Sequence, residues 1–338
     1  MKLAFLLAAL PLPLIAQSPA ALADQAQERA QQKRFAEAEK LWREALALDP
    51  DFFPALFNLG FMTFSNGRAM EARPWLERAT QVNPKDFNTH YLLGTVLLRL
   101  GNREGAMHAW RRALRLQPQN LKLMQVMVVE YEKGRYYSEA EALARRALEQ
   151  NSADLNLALL AIHACQNARD LSTGLEIARQ AAQRFPDSAR ANFEYGFHLQ
   201  RAGRLAEAVD YLKKAMELDP KYEEPFFFYG DLLVTEGRDA AALRYLKQAI
   251  VIRADYLPPR LSLARALIHL ELWPDAVAEL EAAARIDSGH PEPHLLLSRV
   301  YFRTGDEERA AREKELSLRL RNDNPNALEA AQGRPFPQ

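Results

Sequence analysis

Apolar and polar positions along this chain repeat on two scales. Within short windows, apolar residues fall three and four places apart, as in Leu56, Leu59 and Gly60 or Ala72, Leu76 and Ala79, the period of amphipathic helices. Over longer windows the whole pattern returns every 34 residues. Pro50, Pro84, Pro118, Pro186 and Pro220 share one rung of this lattice, which Ser152, Ala254 and Ser288 hold elsewhere. Repetition at that interval marks a stack of two-helix units. Units begin near residues 19, 53, 87, 121, 155, 189, 223, 257 and 291, so the expected fold class is all-α, a solenoid of antiparallel helix pairs with about eight or nine repeats.

Each unit has the same punctuation. Its first helix, over about residues 54–65 in the second unit, stops at Gly67, and Gly101, Gly203, Gly237 and Gly305 occupy that rung in other units. A helix C-terminus there wants a residue that enters the left-handed region without a Cβ penalty. The second helix carries alanines seven apart, at 38 and 45, 72 and 79, 106 and 113, 140 and 147, and 208 and 215, with Trp42, Leu76, Trp110 or Leu212 between them. Small residues admit a close neighbour and the bulky one fills the space beside them. The lattice proline ends the helix, and Pro54, Pro225, Pro258 and Pro293 open the next, where a missing N–H costs nothing. Units four and five depart from this scheme: Arg135 and Arg169 stand for glycine, Ser152 for proline, and Ala144 and Ala178 for the bulky residue.

Taken together, the runs Leu56, Leu59-Gly60, Gly67, Ala72, Leu76, Ala79, Pro84 and Tyr195-Gly196, Gly203, Ala208, Leu212, Ala215, Pro220 resemble the tetratricopeptide repeat. Tyr229-Gly230, Gly237, Ala242, Leu246 and Ala249 keep the register, as do Ala276, Leu280 and Ala283, and no insertion interrupts the count from Ala38 to Ala283. The resemblance implies a right-handed superhelix whose first helices line a concave channel. Two ligand signatures of that family are missing. A carboxylate clamp would need Lys and Asn where this chain has Phe57 and Phe61, Tyr91 and Thr95, and Phe193 and Phe197. The asparagine ladder of glycosyltransferase-associated arrays lapses after Asn58 into Leu92, Val126, Leu160, Glu194 and Phe228.

Charge narrows the partners. With 44 basic and 44 acidic side chains, the chain has no net field favouring nucleic acid or an anionic membrane. The first 23 residues read as a secretory signal peptide: a Met1-Lys2 start, an apolar run from Leu3 to Ile15, and the small-x-small sequence Ala21-Leu22-Ala23 before Asp24. That run, broken by Pro11 and Pro13, is too short to span about 30 Å of hydrocarbon, so stable membrane insertion is not expected. The domain plan is therefore a signal peptide at 1–23, the repeat solenoid at 24–322 and a disordered tail at 323–338, with export to a bacterial periplasm or beyond. Dense charge from Glu307 to Glu315 reads as the polar cap of the stack.

Nothing in the sequence suggests catalysis. The single cysteine, Cys165, excludes an intramolecular disulfide and sits among core alanines, and the seven histidines match no hydrolase or metal spacing. No cofactor or metal is expected. His290-Pro-Glu-Pro-His294 has prolines that oppose two ligands sharing a helix face.

Function should then lie on first-helix positions that point away from the core. In the second unit these are Phe57, Phe61 and Phe64, spaced as one helical stripe; the third adds Tyr91 and Arg99, the fifth His163, the sixth Arg190, Phe193, Phe197 and Arg201, and the seventh Phe227. Aromatic residues with nearby arginines are the anchors protein interfaces favour. The expected function is a non-enzymatic scaffold that holds a peptide or helical segment of a partner protein in its groove, with oligomeric state left open. The alternatives are an oligomerisation module working through its ends or convex surface, and an accessory subunit of an envelope or carbohydrate-assembly complex.

Overall fold

The computed structural model describes residues 18–323, all of whose regular structure is helical. Residues 1–17 and 324–338 fall outside the described residues, and with them most of the expected signal peptide and the expected tail. The chain divides into two compact units, residues 1–150 and 151–338.

The first unit contains α1 (Pro19–Gln31), α2 (Phe35–Leu48), α3 (Phe53–Ser65), α4 (Ala69–Val82), α5 (Phe87–Arg99), α6 (Arg103–Leu116), α7 (Leu121–Lys133) and α8 (Tyr137–Gln150). The second contains α9 (Leu155–Asn167), α10 (Leu171–Arg184), α11 (Ala189–Arg201), α12 (Leu205–Leu218), α13 (Glu223–Thr235), α14 (Asp239–Ile252), α15 (Leu257–His269), α16 (Trp273–Ile286), α17 (Pro291–Arg303) and α18 (Glu307–Asp323). Each odd-numbered helix packs on the even-numbered one that follows it. First helices also approach one another, α3 with α5 in one unit and α9, α11, α13, α15 and α17 in sequence in the other, which puts them on the inner side of each unit.

The lattice has a packing cause. A Cβ placed on Gly60 would lie 2.5 Å from Leu76, on Gly94 2.3 Å from Trp110, and on Gly230 2.7 Å from Leu246. The glycine of the first helix is thus the hole into which the bulky residue of the second helix fits. The flanking alanines at 38, 45, 72, 79, 106, 113, 208 and 215 are fully buried. Such interlocking is close-packed, and it fixes the pitch of each hairpin.

The turns behave alike whether or not the expected residue is present. Gly67, Gly101, Gly203, Gly237 and Gly305 have φ between 71° and 84°, and Lys33, Arg135, Arg169 and Glu271 adopt φ of 59° to 63° on the same rung. The two arginines therefore preserve the turn at a backbone cost rather than abolish it. Helices also end on schedule without proline: Arg253 before Ala254 and Asp287 before Ser288 have ψ of 96° and 94°, matching Asp219 before Pro220 at 94°. At the start, Ser18 caps α1 by accepting from the Ala21 amide at 3.2 Å, Pro19 follows it, and Leu22 is buried with Ala26 against Ala38 and Trp42. Residues 19–23 of the expected signal peptide are thus the first turn of the first helix.

Candidate functional site

The inner faces of the two units differ. In the first, α3 (FPALFNLGFMTFS) has no charged residue and presents a series of stacked rings. Phe53 and Phe57 have centroids 6.3 Å apart at 24°, and Phe57 and Phe61 6.5 Å apart at 12°. Four residues per step along one helix face gives this parallel register. On α5 the motif recurs, with Phe87 and Tyr91 5.9 Å apart at 17°. Phe61 is 53% exposed and Tyr91 38%, whereas Phe57 and Phe64 are half-buried. Arg99 is exposed at the last turn of α5, and on α7 Val126 and Val129 are exposed apolar residues.

Phe53, Phe87, Val126 and Val129 were not among the sequence candidates. The first two open their helices one turn before Phe57 and Tyr91, a spacing that was present in the sequence; the valines lack the aromatic character by which candidates were selected.

In the second unit two candidates are corrected. Phe193 is fully buried and Phe197 is 5% exposed, so both are core residues rather than groove surface. Phe193 meets Tyr222 edge-on at 5.2 Å and Phe228 at 5.5 Å, and Phe197 meets Phe228 at 5.0 Å. The next repeat supplies a second place for these rings. Tyr222 stands on the N-cap rung that Asp86, Asn120, Asp154 and Ser188 use for capping; at Tyr222 the side-chain cap is absent and the ring packs instead. Phe227 is half-buried and packs edge-on against Tyr256 at 5.5 Å.

The polar candidates of that unit separate likewise. His163 Nε2 lies 3.1 Å from Glu194 Oε1, and Glu194 is almost fully buried, so this pair links α9 to α11. Arg190 is exposed, and the exposed Arg201 places its guanidinium 5.8 Å from the Phe197 centroid. Cys165 is fully buried, as its alanine neighbours suggest. His290 caps α17 through the Glu292 amide at 3.3 Å, while His294 Nδ1 lies 2.6 Å from Glu313 on α18, giving the two histidines separate structural roles. Among the described residues no group of three His, Cys, Asp or Glu is arranged to hold a metal ion, and no helix is long and apolar enough to cross a membrane.

Polar links tie repeats together on a similar interval. Arg68 spans back to Glu39 at 2.6 Å, and its guanidinium holds the Glu39 carboxyl below the usual range by hydrogen bonding, against the upward push of burial. Arg78 reaches Asp51 at 2.9 Å, Arg253 reaches Glu223 at 3.2 Å, and Ser262 donates to Asp231 at 2.5 Å. These contacts serve the stack and leave the rings of α3 and α5 as the apolar surface of the first unit's inner face.

A tetratricopeptide repeat model matches residues 23–87, 164–223 and 261–327, and two further tetratricopeptide repeat models match residues 87–120 and 199–250. Among curated proteins, anaphase-promoting complex subunit 3 of Schizosaccharomyces pombe is 28% identical over 109 residues, or 32% of this chain. The matched part spans 16% of that protein's length. Among solved structures, YrrB, a TPR protein with an unusual peptide-binding site, is 20% identical with a TM-score of 0.45, covering 56% of this chain and 98% of its own. MamA is 17% identical with a TM-score of 0.38, covering 61% of this chain and 94% of its own. A MamA chain from Desulfovibrio magneticus RS-1 is 20% identical with a TM-score of 0.40 over 50% of this chain and 96% of its own.

Proposed function

Because the chain belongs to the tetratricopeptide repeat family, we propose that it is a non-enzymatic scaffold that holds an apolar segment of a partner protein along α3 and α5. One observation carries this reading: the parallel ring stacks of α3 (Phe53, Phe57, Phe61) and α5 (Phe87, Tyr91), half-buried at their start and ending in the exposed rings of Phe61 and Tyr91, on an inner face whose helix α3 has no charge. An isolated exposed aromatic residue needs no explanation, but a row of rings in register is the arrangement that receives an amphipathic helix or extended peptide. Arg99 at the end of the row supplies a polar boundary.

The site is confined to the first unit, since Phe193 and Phe197 are occupied in packing. The proposal includes export: the Met1-Lys2 start, the apolar run and the Ala21-Leu22-Ala23 sequence are the features that favour it. N-terminal sequencing of protein recovered outside the cytoplasm tests that part by itself.

The binding claim is tested by crosslinking in the exported compartment, identification of the partner by mass spectrometry, and affinity measurement with the purified pair. Phe61→Glu combined with Tyr91→Glu puts two charges on the ring row without touching the core. Affinity should fall at least about tenfold with helicity and melting unchanged. Unchanged affinity in that variant rules out the row as the contact surface.

A further inference from the structure

A cavity of about 350 Å³ opens in the first unit between α6 and the turn joining α7 to α8. Its walls include Met107, Tyr131, Tyr136, Glu104 and Glu139. Beside it lie two rungs that hold an ion pair in the repeats with residues 34, 68, 204 and 306 on the first rung, and none in those with residues 102, 170, 238 and 272 there. In the former, the residue after the left-handed turn position pairs with the residue three places on: Arg34 with Glu37 at 2.7 Å, Arg68 with Glu71 at 3.1 Å, and Arg204 with Glu207 at 2.6 Å. Asp306 and Arg309 make the same pair in reverse at 2.5 Å. On these two rungs the α7–α8 repeat has Tyr136 and Glu139. The carboxylate is retained and its cation is replaced by a ring.

The local backbone accommodates that ring. Glycine stands one place upstream of its usual rung, at Gly134, and a Cβ there would lie 2.7 Å from the Tyr136 ring. Tyr136 rests on this space and meets Tyr131 edge-on at 6.2 Å and 77°, leaving itself 50% exposed. Neither Glu104 nor Glu139 has an ion-pair partner among the described residues. Of the two arginines on the wall, Arg103 lies 3.5 Å from Glu130, and Arg111 donates its Nε to the Met107 carbonyl at 3.3 Å. Glu130 also lies 2.8 Å from Lys133, so it does not neutralise Arg103 alone, and the two unpaired carboxylates of the wall, Glu104 and Glu139, stand against two guanidiniums with no net charge by count.

We propose that this cavity receives an arginine side chain of a partner protein. The guanidinium lies against the Tyr136 ring, taking the place of the missing internal arginine, and hydrogen-bonds to the Glu139 carboxylate. The methylenes run along Met107. An aromatic face attracts a cation, and a planar guanidinium matches a carboxylate in two-point contact where an ammonium does not. The site is separate from the ring row of α3 and α5 and does not depend on it.

The test uses the full chain labelled with ¹³C at its methionine methyl groups, the Met107 signal being assigned with Met107→Leu, and N-acetyl-L-arginine amide as the probe. A saturable shift of the Met107 methyl is expected, about tenfold weaker with the corresponding lysine derivative and absent with N-acetyl-L-aspartate amide. Tyr136→Arg restores the internal pair seen at 34/37, 68/71 and 204/207, so it should abolish saturation while melting stays at or above the parent value. Glu139→Gln should weaken the probe about tenfold and decides the matter if Tyr136→Arg fails to fold. A shift that never saturates, equal binding by Glu139→Gln, or preference for the aspartate derivative overturns the proposal.

Discussion

Replacing Gly94 with alanine tests the packing rule on which the array depends. The added Cβ would stand 2.3 Å from both Cδ1 and Nε1 of Trp110 and 2.8 Å from its Cγ, where carbon atoms normally approach to about 3.5–4.0 Å. The indole must retreat by more than about 1 Å, yet Trp110 is 1% exposed and its Nε1 donates to the Tyr91 carbonyl at 3.0 Å. Overpacking of this kind costs about 1–3 kcal/mol. Loss of the indole hydrogen bond with its donor left buried costs about another 1–3 kcal/mol, and the higher helix propensity of alanine returns about 1 kcal/mol. The net expectation is a destabilisation of about 3 kcal/mol.

Gly101→Ala is the control. That glycine has φ of 80° and nothing within 4 Å of a new Cβ, so its cost is conformational alone, about 1–2 kcal/mol. Urea unfolding followed by tryptophan fluorescence reads the first unit selectively, since it holds Trp42, Trp75 and Trp110 against Trp273 in the second. A Gly94→Ala loss at or below that of Gly101→Ala would refute the glycine-into-bulk account of the repeat.

Three further outcomes are expected. Phe193→Ala should cost about 3–5 kcal/mol in urea unfolding, whereas Phe61→Ala at the exposed end of the row should stay within about 0.5 kcal/mol; similar losses at both positions would remove the distinction between core and surface rings. Arg169→Gly, at φ of 62°, should raise stability by up to about 1 kcal/mol by relieving left-handed strain, with calorimetric melting as the readout and no gain counting against strain at that turn. Because Arg68 depresses the folded-state pKa of Glu39, the pair's contribution is fully present above pH 4.5, the ordinary glutamate value, and is lost as pH falls through the lower folded value. The acid limb of stability should therefore be shallower in Arg68→Ala, and an unaltered limb would show that this link contributes nothing.

Most of the fold was legible because each hairpin repeats one local solution. Gly60 with Leu76 and Gly94 with Trp110 are pairs of small and large residues at a constant separation, so a spacing in sequence is also a contact in space. Arg135 and Arg169 showed that the turn follows from the hairpin as a whole, since its geometry survives loss of the preferred residue. The inner surface was less legible. Phe57 and Phe193 occupy equivalent rungs, but their burial depends on residues about one repeat further on, where Phe228 and Tyr222 provide walls that the earlier repeat lacks. A ring at an N-cap rung, as at Tyr222, was the sequence sign of that change. The cavity beside Tyr136 required the opposite reasoning, from a missing partner: an unpaired Glu139 stands out only once Arg34, Arg68 and Arg204 are seen to pair on the same rungs.

The central claim, that the ring row of α3 and α5 is the partner-binding surface, is tested most directly by photocrosslinking from single sites in the living cell. A benzophenone side chain placed at Phe61 should give a covalent adduct with a discrete partner protein, while the same group at Met70, 73% exposed on the second helix of that hairpin, should give none. Adducts from position 70 with none from position 61 would contradict the assignment and move the binding surface to the other side of the hairpin.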